Sequence, residues 1–254
     1  MHLPYILFFL LNFLLLKPTL AFYDTEIDRR LDNLFSDSKT KNIIIDYFDK
    51  MGAYRDWKQV TSIKLDGTII YQNKPYSLKV YKKFPDKIKI VIQEFKQSYP
   101  KMTQIKNGLK DYCFIELPDK KIEGITPIFD LKEDMHIMPK LMHLLSQENE
   151  HLLLLEDPNS SRDFLEIKLL HSQTKNKYNF YINRNSKNIS HYTIINNSNK
   201  INVFLEGTIS DGRLRYPKKI KVETKAMEAE LLYKKLNVNV GLTTSFFALP
   251  KGIE

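Results

Sequence analysis

The chain is nearly devoid of cysteine. Its one cysteine, Cys113, has no second thiol with which to form an internal disulfide, which excludes a disulfide-stabilised scaffold. Cys113 also lies far from the N-terminus, so it is not the lipidated first residue of a lipoprotein. It falls in the apolar segment 112–115, which we predict to be a strand, and a thiol in that setting is typically buried and unreactive.

Recognisable catalytic motifs are missing as well. There are eight glycines, too dispersed to form a phosphate-binding loop, and the Walker, GxGxxG, HExxH and GxSxG patterns do not occur. His136 and His143 are seven residues apart, but Pro139 stands between them and no carboxylate has ligand spacing beside them. The sequence therefore predicts no catalytic residue, no cofactor and no metal site. An enzyme with an unfamiliar site stays open, because catalytic groups can converge from distant positions.

Long apolar runs are confined to the N-terminus. Residues 5–16 are apolar except for Asn12, and this run is shorter than the about 20 residues that cross a bilayer core. Thr19 and Ala21 follow, and small residues at the first and third positions before a cut suit signal peptidase. We therefore predict a signal peptide over residues 1–21 that is cleaved after Ala21. An uncleaved interfacial anchor is the alternative, because no Lys or Arg precedes the run.

Positive charge is in excess, with a formal net charge of +9. The lysines form two clusters, which are Lys79, Lys82, Lys83, Lys87 and Lys89, and Lys218, Lys219, Lys221 and Lys225. Because an exported protein rarely meets nucleic acid, we predict no nucleic-acid partner. We interpret the clusters as the solvated outer faces of strands, and the alternative is attraction to an anionic membrane surface.

The hydrophobic pattern divides the mature chain into a lead-in and one domain. Residues 22–40 are polar and poorly periodic, which predicts a flexible lead-in with a short helix. Apolar residues at helical spacing then predict a helix over residues 41–51 that stops at Gly52. With no compositional break after this point, we predict a single domain over residues 41–254.

From residue 57 the hydrophobic period changes to two. This alternation predicts three adjacent antiparallel strands with one apolar face and one basic face, and Asn107-Gly108 predicts a further hairpin before a strand at 111–117. The inward residues of two adjacent strands are Leu78, Val80, Ile88 and Ile90, and we expect Lys79, Lys87 and Lys89 to face solvent.

The second half of the domain begins with an apolar stretch at helical spacing over residues 131–156, which Pro139 divides into two predicted short helices. Six predicted strands follow: DFLEIKLL, KYNFYINR, ISHYTII, INVFLEGTI, KKIKVET and AELLYKKLNVNV. About ten antiparallel strands that are apolar on one face must curl around something to bury that face. The helices are the obvious filling, so we expect a mainly β, α+β fold.

Several segments together resemble the LolA/LolB-like family of periplasmic lipoprotein-sorting carriers and their relatives. They are residues 57–68, LKVYKKFPDKIKIVI, FLEIKLLHSQTKNKYNFYINRNSKNISHYTI, the entry to a strand at 210–220, and the terminal pair 236–240 and 245–250. The resemblance extends over residues 41–251. It implies an incomplete antiparallel β-barrel closed by helices, with an apolar cavity inside, in a periplasmic protein.

The resemblance further implies a carrier or binder of lipid, lipoprotein acyl chains or another amphiphile. An apolar cavity accepts hydrocarbon at about 0.8 kcal/mol per buried CH₂. Methionine packs flexibly against varied chains, so the mid-chain methionines are candidates for an adaptable lid, with ordinary core packing as the alternative. The candidate lid and cavity residues are Met135, Met138, Leu141, Met142, Leu78, Val80, Ile88 and Ile90. We expect a monomer, and the rival hypothesis is a non-enzymatic envelope protein that binds a protein partner.

Overall fold

A computed structural model describes most of the chain. The described residues are 25–108, 110–125, 137–146, 152–156, 158–196, 199–225 and 227–249. The predicted signal peptide lies outside them, as do Met135 and His136. No helix of the described part is long and apolar enough to cross a membrane.

Three helices open the described chain: α1 (Thr25–Leu34), α2 (Ser38–Met51) and α3 (Tyr54–Lys58). Asp37 caps α2, since its carboxylate accepts hydrogen bonds from the backbone N–H groups of Lys39 and Thr40. Gly52 ends the helix with φ of 108°, in the left-handed region that glycine favours. The predicted helix over 41–51 and its stop at Gly52 are confirmed, and the helix begins three residues earlier, at Ser38.

The short helix predicted within the lead-in is present as α1, and it packs against the core of the domain. Helix α1 buries Ile27 and Leu31, and Phe35 behind it is also buried, in the same core as the sheet. Polar residues of the same helix form ion pairs: the Glu26 carboxylate contacts both Arg30 and Lys58. Apolar spacing of four residues was present at 27, 31 and 35, but the surrounding charges hid it.

The rest of the described chain is mostly strand. The elements are β1 (Ser62–Tyr71), β2 (Lys74–Lys83), β3 (Lys87–Gln93), β4 (Lys101–Asn107), β5 (Lys110–Glu116), β6 (Lys121–Glu123), α4 (Lys140–Ser146), β7 (Leu152–Leu154), β8 (Asn159–Ser160), β9 (Phe164–His171), β10 (Lys177–Asn183), β11 (Ile189–Asn196), β12 (Asn199–Asp211), β13 (Leu214–Glu223), β14 (Glu228–Val238) and a 3₁₀ helix (Thr244–Phe247).

These strands form one antiparallel sheet. Along the sheet the order is β6-β5-β4-β3-β2-β1-β14-β13-β12-β11-β10-β9-β7, with β8 also paired to β9. The sheet therefore consists of two meanders, β1 to β6 and β9 to β14, joined where β1 pairs with β14. Among the described strands β6 and β7 are the two edges, so the sheet is open.

The mainly β fold and the six strands of the second half are confirmed, and two local predictions are corrected. Residues 152–154, expected as helix, form the edge strand β7 on β9. The strand β4 was not predicted, and it pairs with β3 and β5 along its whole length. Of the two predicted mid-chain helices, α4 is described.

One face of the sheet, which we call the inner face, carries the main core together with α1 and α2. Leu78, Val80, Ile88 and Ile90 are all buried on it, as the alternation predicted. Lys79 is exposed on the opposite, outer face. Lys89 is also on the outer face but is half-buried, which corrects its predicted full exposure.

A second, smaller hydrophobic core on the outer face explains why Lys89 is half-buried. The 3₁₀ helix packs Phe247, which is fully buried, against Ile105, Tyr112 and Phe114 of β4 and β5. The Lys89 ammonium lies 4.3 Å from the centre of the Phe246 ring. This burial lowers the pKa of Lys89.

Candidate ligand cavity

An apolar cavity lies against the inner face, between the two meanders and α4. Strands β2 and β3 contribute Val80, Ile88 and Ile90 from the first meander. The second meander contributes a larger wall, which consists of Ile189, Tyr192, Ile194, Ile201, Val203, Leu205, Tyr216, Pro217, Ile220, Val222, Thr224, Leu231 and Tyr233, with Met227 from the β13–β14 turn. Met138, Pro139 and Lys140 cover it from the side of α4, and Tyr47 reaches it from α2.

The structure brings some of the predicted lid and cavity residues together and separates others. Met138, Val80, Ile88 and Ile90 all line the cavity. Leu141 and Met142 are fully buried in the core around α4, and Leu78 is buried in the sheet; none of these three lines the cavity. Met135 lies outside the described residues.

The two ends of the cavity differ. At one end Tyr47, Lys82 and Tyr216 are buried, and α2 contacts β13 there, with Gly52 packed against the backbone of Arg213 and Leu214. At the other end Thr224 and Met227 are half-buried in the β13–β14 turn. We call these the helix end and the turn end.

The lining of the cavity follows the strands of the second meander. Along β13 it extends from Tyr216 to at least Val222, which is about 20 Å at the rise of an extended strand. The space available to the centre of a water-sized molecule is about 150 Å³. This is the space of a small hydrocarbon such as benzene.

The helix end contains a buried cation. Lys82 is only 5% exposed, and its ammonium donates a hydrogen bond of 3.3 Å to the Tyr216 hydroxyl. The ring of Tyr216 is itself packed between Trp57 and Tyr233, at centroid distances of 6.4 and 5.9 Å. The hydroxyl is therefore held in place by its aromatic neighbours.

The start of α4 adds a second lysine to the lining of the cavity. Lys140 lines the cavity, and its ammonium lies 5.2 Å from the centre of the Tyr178 ring. Burial, together with the charges of Lys140, Lys82 and His171, lowers the pKa of His143 to about 3. His143 is therefore neutral near pH 7.

Lys82 is one of the site residues that the sequence interpretation misses. The interpretation of Lys82 as part of a solvated outer face is wrong, because its side chain is buried on the inner face. The sequence does place Lys82 on the inner face, because it stands two residues after Val80 and four after Leu78 in β2. The interpretation gave more weight to the charge of Lys82 than to this position.

Other chemistry is not assembled in the part of the chain that the structure describes. There, no group of three or more His, Cys, Asp or Glu residues could hold a metal ion. Cys113 is buried, and burial raises the pKa of its thiol, so it is in the form that reacts poorly.

Comparison with known proteins gives similarity only at the level of the three-dimensional structure. No protein-family model matches the chain, and no curated protein matches it. The structure is similar to that of a DUF1329 family protein from Desulfovibrio piger, with a TM-score of 0.49, 12% identity, and coverage of 80% of this chain and 96% of the other. It is also similar to a LolA superfamily protein from Nitrosomonas europaea, with a TM-score of 0.48, 13% identity, and coverage of 81% and 96%. The second protein is assigned to the LolA superfamily, the family that the sequence segments resemble.

Proposed function

We propose that the mature protein is a periplasmic binder or carrier of amphiphiles, such as a lipid or the acyl chain of a lipoprotein. It would hold the hydrocarbon in an incomplete barrel that its helices close. The observation that supports this most directly is the apolar cavity between the two meanders. Its walls are dominated by Ile, Val, Leu, Tyr and Met side chains. Such a lining favours hydrocarbon over water.

The size of the cavity bears on how a hydrocarbon chain would enter. Hydrocarbon bound there gains about 0.8 kcal/mol for each CH₂ taken from water. The enclosed space of about 150 Å³ is that of a small hydrocarbon, so a full acyl chain needs the walls to move apart. Met138 borders the channel on the side of α4, and its flexible side chain suits a wall that adapts to chains of different length.

The test is displacement of an environment-sensitive fluorescent fatty acid by lipids extracted from the host envelope. A channel-filling variant, Val222→Trp, places an indole in the space of the ligand and should raise the Kd at least tenfold, or about 1.4 kcal/mol. Val91→Trp is the matched control, because Val91 lies on β3 beside Ile90 but points to the outer face. Circular dichroism and thermal unfolding should show that both variants fold.

Two results would contradict the proposal. If the folded wild-type protein binds no lipid at micromolar concentrations, the carrier function is wrong and binding of a protein partner takes its place. If Val222→Trp and Val91→Trp bind alike, the ligand lies elsewhere on the molecule.

A further inference from the structure

The two edges at which the strands end differ in charge. Because neighbouring strands are antiparallel, the β1–β2, β3–β4, β5–β6, β9–β10, β11–β12 and β13–β14 connections all lie at the edge where Tyr71 of β1 pairs with Ala229 of β14. Each of these connections has an exposed lysine in it or beside it. The lysines are Lys74, Lys96, Lys120, Lys175, Lys200 and Lys225. We call this edge of the sheet the lysine edge.

The positive charge of the lysine edge is not neutralised by neighbouring side chains. Within the described chain none of these lysines forms an ion pair. The glutamates of the adjoining strand ends are already paired with other lysines. These ion pairs are Glu116–Lys101, Glu123–Lys121, Glu223–Lys221 and Glu228–Lys221. The connections themselves contribute two acidic residues, Glu94 and Asp119, so the lysines are in excess.

The opposite edge carries charges of both signs. Its turns contain aspartates as well as basic residues, and Asp86 there lies 3.6 Å from the ammonium of its neighbour Lys87. The aspartates in or beside these turns are Asp86, Asp111, Asp163 and Asp211. The excess of unpaired positive charge is therefore concentrated at one end of the strands.

The cavity reaches the lysine edge at its turn end. Thr224 and Met227 of the β13–β14 connection line the cavity, and the exposed Lys225 stands between them in the sequence. Lys74 and Lys200 belong to the connections on either side, because β14 pairs with β1 and β13 pairs with β12. Unpaired lysines therefore flank the turn end of the cavity.

We propose that the lysine edge is a docking surface for an anionic lipid membrane, and that docking turns this end of the cavity toward the lipid. Ammonium groups on separate connections along one edge can approach a layer of phosphate groups together, and each lysine near such a surface strengthens attachment about fivefold. The inference goes beyond the proposed function, because docking requires no ligand in the cavity.

The kind of basic residue favours a membrane over an acidic protein. The described connections at this edge contain lysine and no arginine. Lysine carries a compact and strongly hydrated charge, which suits the diffuse potential of a headgroup layer. Arginine is the residue enriched in protein interfaces, where its planar group makes bidentate contacts.

The experiment measures co-sedimentation with vesicles of phosphatidylcholine alone and of phosphatidylcholine and phosphatidylglycerol in equal parts. The wild-type protein should bind the anionic vesicles at least tenfold more tightly, and added salt should weaken this binding. The triple variant Lys74→Gln, Lys200→Gln, Lys225→Gln should lose most of the preference. Every variant has the same N-terminus, so the apolar residues 5–16 contribute equally to each.

The matched control removes the same charge elsewhere. Lys79, Lys110 and Lys235 are exposed and lie away from the lysine edge. Replacing all three by Gln should leave at least half of the preference for anionic vesicles. Circular dichroism should show that both triple variants fold.

A second measurement identifies the docked edge. Asn199→Cys places a thiol at the lysine edge and Asn185→Cys places one at the opposite edge, both at exposed positions, while Cys113 is buried. A nitrobenzoxadiazole label on residue 199 should shift to the blue and brighten when anionic vesicles are added. The same label on residue 185 should not change.

The outcomes separate docking from the carrier function. Equal binding of both vesicles, equal losses in the two triple variants, or a response of the label at residue 185 alone would each overturn the proposal. Absence of vesicle binding would also overturn it and favour an acidic protein as the partner of the lysine edge. In vesicle-free solution the edge variant should bind the fluorescent fatty acid as the wild type does, so failure of docking leaves the carrier function standing.

Discussion

At the scale of single residues, Gly67 has no room for a side chain. It lies in β1 next to a shift of register, where Asp66 pairs with Lys235 and Gly67 pairs with Tyr233 of β14. A β-carbon on Gly67 would lie 2.3 Å from the carbonyl oxygen of Leu232, which is backbone and has no free side chain to move aside.

Gly67→Ala should therefore lower the free energy of unfolding by about 2 kcal/mol or more. Gly212→Ala is the control, because no atom lies within 4 Å of its β-carbon and only the left-handed backbone, at φ of +60°, is strained. That strain costs about 1–2 kcal/mol. Urea unfolding of both variants measures the difference, and a smaller loss for Gly67→Ala would show that the close approach of β1 to β14 is relaxed in solution.

His143 should make the protein sensitive to acid. Burial first, and then the neighbouring positive charges, lower its pKa from 6.5 to about 3. Between these values the unfolded chain binds the proton and the folded chain does not, so the free energy of unfolding falls as the pH falls from 6.5 toward 3. The contribution is about 1.4 kcal/mol per pH unit.

Replacing His143 by Gln should remove this part of the pH dependence, as measured by denaturant unfolding at pH 7, 6 and 5. In the wild type the His143 ring resonances should not titrate between pH 7 and 5. A midpoint near 6.5 would show that the ring is solvated.

At the scale of elements, the alternation in β2 can be tested directly. Leu78 is buried on the inner face and Lys79 is exposed on the outer face of the same strand. Leu78→Lys should lower the free energy of unfolding by about 3 kcal/mol or more, because it places an uncompensated charge in the core. Lys79→Glu should change it by less than about 0.5 kcal/mol. Thermal unfolding checks both, and similar effects would mean that the register is shifted by one residue.

The 3₁₀ helix fastens the C-terminal segment to the outer face of β4 and β5. Phe247→Ala should cost about 3–5 kcal/mol, since the ring is fully buried against Ile105 and Phe114. Phe84→Ala, at a position that is 67% exposed, should have almost no effect. Chemical unfolding compares the two, and equal losses would show that the 3₁₀ helix is detached in solution.

This outer cover also explains why β4 could not be predicted. On its inner face β4 carries Met102, Gln104 and Lys106, and on its outer face Thr103 and Ile105, and all five are buried. The sequence of β4 therefore shows no alternation of apolar and polar residues. The 3₁₀ helix that buries its outer face lies more than 100 residues further along the chain, so a local pattern does not reveal it. Strand β7 was missed for a related reason: Leu152–Leu154 is a continuous apolar run, which has no period at all.

The candidate site was predictable to the same limited degree. Local alternation was enough to find Val80, Ile88 and Ile90, which line the cavity from two adjacent strands. It was not enough to find the wall from the second meander, because pairing between distant strands is not encoded in a local pattern.

At the scale of the whole molecule, the first and last strands in chain order, β1 and β14, pair with each other in the middle of the sheet. Ile63 of β1 pairs there with Val238 of β14. A chain that ends at residue 227 lacks β14 and should fail to form the cooperative native state. A chain that ends at residue 249 retains every described element and should fold as the full chain does. Circular dichroism and the sharpness of thermal unfolding distinguish them, and cooperative unfolding of the shorter chain would show that the meanders fold independently.

The cavity walls come from both sides of this central seam, with Ile90 on one side and Val203 on the other. A hydrocarbon bound as proposed would contact both meanders, on the two sides of the β1–β14 pairing. Binding to the folded state alone raises its stability by RT ln(1 + [L]/Kd), which is about 2.7 kcal/mol at a ligand concentration of 100 times Kd. The protein with the proposed ligand would therefore resist unfolding better than the protein without it, and loss of the β1–β14 pairing would release the ligand.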